Sequence, residues 1–540
     1  MLQVFNAVAV AAIARALLAK RPTSKAIEEL SRQERDSGLA VGCILPPLVL
    51  LSRFMAIAHS DITISVPTLL YAWIVLTASA SLLIKTVCFG SSGVLPIVIV
   101  DVVVLPLVFV ALGVESDLRF VLPTVGRVLV ALVFCFGRLA LRRSFTVGEA
   151  LVVAQTVGLG AFDLALVTVI KLSDESSSLP DRFLAAWHLH ASPLLAREPH
   201  QFALQVGVVG SLLICVALTP LLQAYGSSSP HMVAPPLPLS AALQFLFIVG
   251  VVLGGVVYPW SSVLLDTWNP VGWLVEFLVE KPARGYLILY WVLCLVVCVP
   301  AFAVLSNALA LPQIIARKLF HALVVVMFVP AFFYSPEMLS LSYGVAFAVF
   351  CLAECMRAVA LPLFGQQIAQ FVQPFIDHRE GGRVILTHTY LLLGCALPLW
   401  LAHSAAASNA FAANAGVLAL GVGDAMGAAV GSTFGKQKIF GRKTVEGTAA
   451  VLISTVIASL ALHDYHWNAL SKGEPARVIT KSLENAQVAH GALTYLWCVF
   501  LLLVAGVTLT SLLEAATAQI DNLVLSLFLF TVANLITCRA

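Results

Sequence analysis

Residues 421–448 read GVGDAMGAAVGSTFGKQKIFGRKTVEGT: a glycine-lined apolar stretch holding one acid, Asp424, runs into a loop carrying Lys436, Lys438, Arg442 and Lys443. A charged side chain is costly inside a bilayer, so Asp424 is expected to face protein, water or a metal rather than lipid. A carboxylate beside several cations suits a metal-bound polyphosphate, with the metal on the acid and the phosphates on the bases. Gly423, Gly427, Gly431 and Gly435 recur every four residues and line one helical stripe. Such a stripe lets membrane helices pack closely. Beside Asp424 and Lys436 it also offers a smooth backbone surface to a ligand, and the two roles are compatible. The string is not a phosphate-binding P-loop, because the positions that need glycine and a hydroxyl hold Val430 and Gln437. It also fails the dinucleotide fingerprint, with Met426 where glycine is required.

Four further constellations surround this one. In GRKTVEGT, residues 441–448, Thr444 is placed to cap a helix whose free N–H groups would attract an anion, with Arg442 and Lys443 adding charge. Glu446 there either holds a cation, takes a proton, or is an acid favoured by the helix dipole. In SLLEAATAQIDN, Glu514 and Asp521 stand seven apart on one helical face beside Asn522. Two acids on an apolar helix call for a divalent cation or a basic partner, unless the chain leaves the membrane there. ARKLFH places Arg317 and His321 four apart with Lys318 between, either for a ligand or as cationic anchors. DHREGGRVILTHTYLLLG brings Arg379, Glu380 and Arg383 to the start of a span that contains His388, a satisfied buried histidine or a participant.

The elements that must position these residues are apolar runs near twenty residues long, the length a helix needs to cross about 30 Å of hydrocarbon. They lie at 39–58, 64–86, 92–114, 120–137, 147–171, 202–224, 238–259, 286–308, 317–335, 340–361, 384–402, 411–431, 446–463, 491–510 and 522–537, with a further helix possible at 3–19. The expected fold is therefore all-α, a polytopic integral membrane protein of about fifteen transmembrane helices. Arg15 within the first apolar run, with no basic segment before it, argues against a cleaved signal peptide. Residues 1–310 read as a membrane scaffold and 311–540 as the region that carries the chemistry.

Composition agrees: 60% of the residues are hydrophobic and 11% charged, far from soluble usage. A net charge of only +3 excludes a nucleic-acid footprint, so any phosphate affinity is local. The eleven cysteines sit mostly in apolar segments and read as packing residues, including the pairs Cys294/Cys298 and Cys351/Cys355. His188, His190 and His200 read as a solvated loop, and the isolated acids Asp101, Glu149 and Asp163 as hydrogen-bonding groups between helices. Basic short loops stay in the cytosol, which places 436–443, Arg138/Arg142/Arg143 and Arg317/Lys318 on that side. No repeat relates the two halves, and the charged motifs crowd into the last third, both of which weigh against a transporter.

In order, ARKLFH, GGRVILTHTYLLLG, GVGDAMGAAVGSTFGK, GRKTVEGT and SLLEAATAQIDNL, with FTVGEALVV at 145–153, resemble the conserved blocks of the dolichol kinase family, CTP-dependent kinases of polyprenols. The resemblance implies a multi-pass enzyme of the endoplasmic reticulum membrane. It would use CTP and Mg²⁺ or another divalent cation to phosphorylate dolichol or another polyprenol, supplying dolichyl phosphate for protein glycosylation. The implied nucleotide region is Gly421, Gly423, Gly427, Gly431, Ser432, Gly435, Lys436, Arg442, Lys443 and Thr444, joined by Arg317, Lys318, His321, Arg383 and His388. From charge and position, Asp424, Asp521 and Glu514 are assigned to the metal, and Glu446 or Asp424 to the hydroxyl proton. Kinases of phytol or diacylglycerol and cytidylyltransferases share parts of these blocks. The sequence does not give the oligomeric state.

Overall fold

In hydrocarbon no water satisfies a backbone N–H or C=O, so long apolar runs fold as helices that bond within themselves. A computed structural model of the chain describes residues 30–32, 38–59, 66–84, 121–173, 197–310 (except 228, 230 and 233), 313–402 (except 374–375 and 377–379), 410–440, 443–471, 500–514 and 521–539. Its helices are α1 (Leu39–His59), α2 (Val66–Ile84), α3 (Val121–Ala140), α4 (Val147–Leu172) and α5 (Pro199–Tyr225). Next come α6 (Leu239–Leu264), α7 (Pro270–Glu280), α8 (Pro282–Ala308), α9 (Gln313–Tyr334), α10 (Pro336–Ala358) and α11 (Gly365–Val372). The series ends with α12 (Thr387–Leu401), α13 (Val417–Thr433), α14 (Val445–Ser471), α15 (Phe500–Glu514) and α16 (Asp521–Arg539). A small antiparallel hairpin, β1 (Lys438–Phe440) and β2 (Lys443–Thr444), joins α13 to α14.

The expected spans at 92–114 and 3–19 and the residues Asp101, His188 and His190 lie outside the described residues. Every other expected span overlaps a helix. Among the described residues, eight helices are long and apolar enough to cross a membrane: α3, α4, α5, α6, α8, α9, α10 and α14. The others that match expected spans, α1, α2, α12, α13, α15 and α16, hold shorter apolar stretches. Chain termini do not separate the two halves: α1 packs against α16, and α5 lies along α10.

Local chemistry fixes the ends. At α4, Thr146 and Glu149 form a capping box, each side chain accepting the other's backbone N–H at 3.2 Å. Glu149 also takes a hydrogen bond from Arg32 at 2.6 Å, tying residues 30–32 to the α3–α4 turn. Asp163 likewise has partners, accepting from Arg197 at 2.6 and 2.8 Å, Gln205 at 2.7 Å and the Tyr71 hydroxyl. Both acids bond between segments distant in sequence, as buried acids must. His200 stacks on Phe277 with ring centroids 6.4 Å apart.

Candidate functional site

The site begins at a local irregularity. Residues Val417–Asp424 of α13 wind as a wider π-helix before the ordinary turns resume at Ala425, a bulge of the kind that helices carry at functional positions. Gly421 in this stretch faces α9 so closely that a Cβ would stand 2.6 Å from Val325 Cγ2. That approach carries Asp424 to Lys318 and His321 of α9. Lys318 Nζ forms an ion pair with Asp424 Oδ2, their side chains only 17% and 13% exposed. His321 Nε2 lies 3.2 Å from the same oxygen without hydrogen-bond alignment. Its Nδ1 is 3.2 Å from the Arg317 carbonyl, and since a carbonyl only accepts, Nδ1 carries a proton in that contact. His388, the second residue of α12, comes within electrostatic reach of both Arg317 and His321.

The glycine stripe is a packing surface. A Cβ at Gly423 would lie 2.9 Å from Thr455 Oγ1, and one at Gly427 would lie 2.5 Å from Val451 Cγ2. At Gly431 and Gly435 it would meet Thr444 Oγ1 at 3.2 and 2.6 Å. All four therefore face α14 or the residue that caps it, and α14 answers with Gly447, whose own Cβ would be 3.1 Å from Gly431 Cα. Ser432 is exposed, its hydroxyl donating back to the Ala429 carbonyl at 3.2 Å.

The hairpin then folds back over this helix pair. Thr444 caps α14 as its sequence suggests, Oγ1 accepting the Gly447 N–H at 3.2 Å. Glu446 closes the loop: its carboxylate accepts the N–H of Lys436 at 3.1 Å and of Gln437 at 3.4 Å. The Lys436 ammonium group stays exposed. Lys443 reaches across to α15 and forms an ion pair with Glu514, which is only 8% exposed, and its charge is also felt at Asp424. Arg442, Arg379 and the Asp521 side chain lie outside what the structure describes, although Asp521 begins α16.

Arg383 is engaged elsewhere, donating to the carbonyls of Leu222 at 2.7 Å and Gln223 at 3.3 Å near the end of α5. Its own carbonyl accepts from Arg357, which is held by Glu354 at 2.6 Å. Glu380, to which the sequence lent no role, is buried and accepts the N–H groups of Leu386 and Thr387 at 3.1 and 2.8 Å. Burial holds its carboxyl above the ordinary glutamate range, against the pull of those hydrogen bonds. The available signal was an acid a few residues before an apolar run with no capping residue at its start.

Together the starts of α9, α12, α14 and α16 and the ends of α13 and α15 converge at one end of the bundle. Asp424 and Glu514 supply hard oxygen, while Lys318, His321, His388 and Lys443 supply charge or N–H donors. Among the described residues no three His, Cys, Asp or Glu side chains gather as a metal cage. Mg²⁺ is usually held by one or two carboxylates together with substrate phosphates, so these acids fit such an ion when it arrives with a nucleotide.

Fold and site define an all-α membrane protein with an interhelical charged centre at one boundary of the bundle. The family model described as Dolichol kinase matches residues 121–435, and the chain belongs to that family. It is 31% identical over 393 residues to Dolichol kinase EVAN of Arabidopsis thaliana, covering 72% of this chain and 64% of the relative. With the Dolichol kinase of Homo sapiens it shares 32% over 404 residues, 72% of this chain and 65% of the relative. Dolichol kinase sec59 of Schizosaccharomyces pombe is 37% identical over 153 residues, 28% of this chain and 30% of the relative. The chain thus spans a little under two thirds of the length of the first two relatives. No solved structure matches it.

Proposed function

We propose that the chain is a CTP-dependent dolichol kinase, transferring the γ-phosphoryl group of CTP to the terminal hydroxyl of dolichol to give dolichyl phosphate and CDP. Family membership supports the substrate class. The observation that carries the chemistry is the pairing of buried acids with lysines, Asp424 with Lys318 and Glu514 with Lys443, at one end of the bundle. A magnesium nucleotide presents both signs of charge. The carboxylates can pass to the cation and the lysines to the phosphates, so no buried charge is left alone.

Phosphoryl transfer asks little covalent chemistry of a protein; charge neutralisation and in-line positioning supply most of the rate. In this reading Lys318, Lys443, Lys436 and Arg442 hold phosphate oxygens, with Arg317, His321 and His388 alongside. The glycine stripe of α13 acts indirectly, by allowing α14 to bring Thr444 and Lys443 close. Asp424, Glu514 and Asp521 would hold Mg²⁺ or another divalent cation, which neutralises charge on the transferring phosphates. Asp424 or Glu446 receives the proton of the attacking hydroxyl; Glu446 already binds two backbone N–H groups, which favours Asp424.

The acceptor's tail needs hydrocarbon surroundings. An apolar cavity of about 310 Å³ between α5, α6 and α10, lined by Leu204, Ile214, Leu253, Leu341, Val345 and Leu352 among others, offers such a wall. Its Leu352 end lies two residues from Glu354, which accepts the Ile385 N–H at 2.6 Å just ahead of α12. The end of the bundle that bears the site also carries Arg138, Arg143, Arg357 and Arg383, the pattern of a cytosolic face. An endoplasmic reticulum location and about fifteen crossings, the shorter apolar helices included, belong to the same reading.

Purified protein given CTP labelled at either phosphate tests it. The γ label must enter an isoprenoid lipid in a metal-dependent reaction. Label from the α position marks a cytidylyltransferase instead, transfer to phytol or diacylglycerol but not dolichol marks another lipid kinase, and no labelled lipid overturns the enzymatic reading.

A further inference from the structure

Helix α12 starts without a cap of its own. The residue at its N-cap position, Leu386, has no side-chain oxygen to offer the first N–H groups. Glu380, six residues upstream and 3% exposed, fills that place from outside the helix. Its Oε1 accepts from Leu386 N–H at 3.1 Å, from Thr387 N–H at 2.8 Å and from the Thr387 hydroxyl. A carboxylate is also the group that the positive end of a helix dipole favours.

Thr387 is held from the other side as well. Its carbonyl accepts a hydrogen bond at 3.3 Å from Asn522 Nδ2, the buried second residue of α16. One residue thus has all its hydrogen-bonding groups committed, to Glu380 on one side and to α16 on the other. The next residue along is His388, which lies within electrostatic reach of Arg317 and His321, and the residue before Asn522 is Asp521. The loop carrying Glu380 is in turn pressed onto the α3–α4 turn, where a Cβ on Gly382 would sit 2.0 Å from Ser144 Oγ. Arg32, bonded to Ser144 O at 3.2 Å and to Glu149, lends Glu380 a positive neighbour.

We propose that Glu380 is a positioning residue: through Thr387 and Asn522 it fixes His388 and the start of α16 relative to one another, without touching substrate. The inference rests on the kinase reading for its catalytic consequence and on the hydrogen bonds alone for its geometric one. A carboxylate oxygen and an amide oxygen accept alike, so Glu380→Gln keeps the bonds from Thr387, whereas Glu380→Leu removes all of them.

The test uses the full chain in lipid vesicles. Relative to wild type, Glu380→Leu lowers kcat about tenfold or more, the scale expected when a reacting group is displaced by a fraction of an ångström to an ångström, and Glu380→Gln stays near wild type. In a His388→Ala background the further loss from Glu380→Leu is smaller than in wild type, because the share that runs through His388 is already gone. A second reading needs no activity: the rate at which diethyl pyrocarbonate modifies His388, relative to His321, shifts in Glu380→Leu and not in Glu380→Gln. Thr387→Val, which removes only the hydroxyl donor, provides the same comparison if Glu380→Leu does not fold. Losses that multiply in full in the double variant, or an unchanged His388 reactivity in both Glu380→Leu and Thr387→Val, overturn the proposal. A wild-type protein that transfers no phosphate overturns the kinase reading instead and leaves the reactivity test standing.

Discussion

Neutralising Asp424 separates a catalytic acid from a structural counter-ion. In Asp424→Asn the side chain keeps its size but leaves Lys318, 17% exposed, without its ion-pair partner. Breaking a buried pair from one side costs about 3–5 kcal/mol, because the surviving charge remains desolvated. Lys318 can relax part of that cost by turning toward water at the end of the bundle, so a loss near the low end, about 3 kcal/mol, is expected. Lys318→Met made in the same chain removes the stranded charge, and the double variant should recover most of the lost stability. Activity should not follow. If Asp424 grips the metal or receives the hydroxyl proton, both variants lose at least about a hundredfold in kcat, the usual loss when one electrostatic contact to a transition state is removed. The measurements are thermal unfolding in detergent and transfer of γ-labelled phosphate to dolichol in vesicles. A double variant that regains activity together with its fold refutes the reasoning and reduces Asp424 to a counter-ion.

Three other outcomes follow from the same contacts. If Lys443 holds a phosphate as proposed, Lys443→Ala should raise the KM for CTP about tenfold or more with a smaller change in kcat, while also stranding Glu514; steady-state kinetics check it, and an unchanged KM removes Lys443 from the phosphate site. Gly427→Leu should destabilise by about 1–3 kcal/mol, the cost of overpacking, because even its Cβ would stand 2.5 Å from the stiff Val451 side chain; thermal unfolding reads this, and a neutral result means that α13 and α14 do not meet along the stripe. Glu380 supplies a pH dependence. Its folded pKa is raised by burial above the unfolded value, so the stabilisation it gives is complete below the unfolded value and is lost as pH rises through the folded one. The melting temperature of wild type relative to Glu380→Gln should therefore fall over that rise, and a difference that grows with pH contradicts the assignment.

Apolar runs announce helices because backbone satisfaction in lipid leaves no alternative, and every described expected span overlaps one. Thr444 as a cap and the glycines as a helix-packing stripe were also legible, since both are matters of spacing within one or two turns. Pairing was not. Lys318 and Asp424 stand 106 residues apart and Lys443 and Glu514 71 apart, and nothing in either segment says which cation meets which acid. Arg383 shows the same gap from the other side: a basic residue in a charged loop looks like a phosphate ligand, yet its guanidinium bonds the carbonyls at the end of α5. Glu380 stands out in the sequence only as one charge of the Arg379–Arg383 run, because a cap supplied from six residues away has no fixed sequence pattern.

The placement of Lys318 argues that the charges at this end are kept for a ligand rather than for the fold. It lies in the second turn of α9 with its side chain only 17% exposed, and withdrawal from water disfavours a cation. Asp424 offsets that penalty, but a pair of well-packed apolar residues would avoid it at lower cost. Lys443 and Glu514 form a second pair, with the acid buried and the cation half-exposed. Two ion pairs whose acids are largely withdrawn from water are an expensive way to hold helices together. They become economical only if both acids and both lysines exchange partners with something that carries positive and negative charge at once, which a metal-bound triphosphate does and a lipid headgroup of single charge does not.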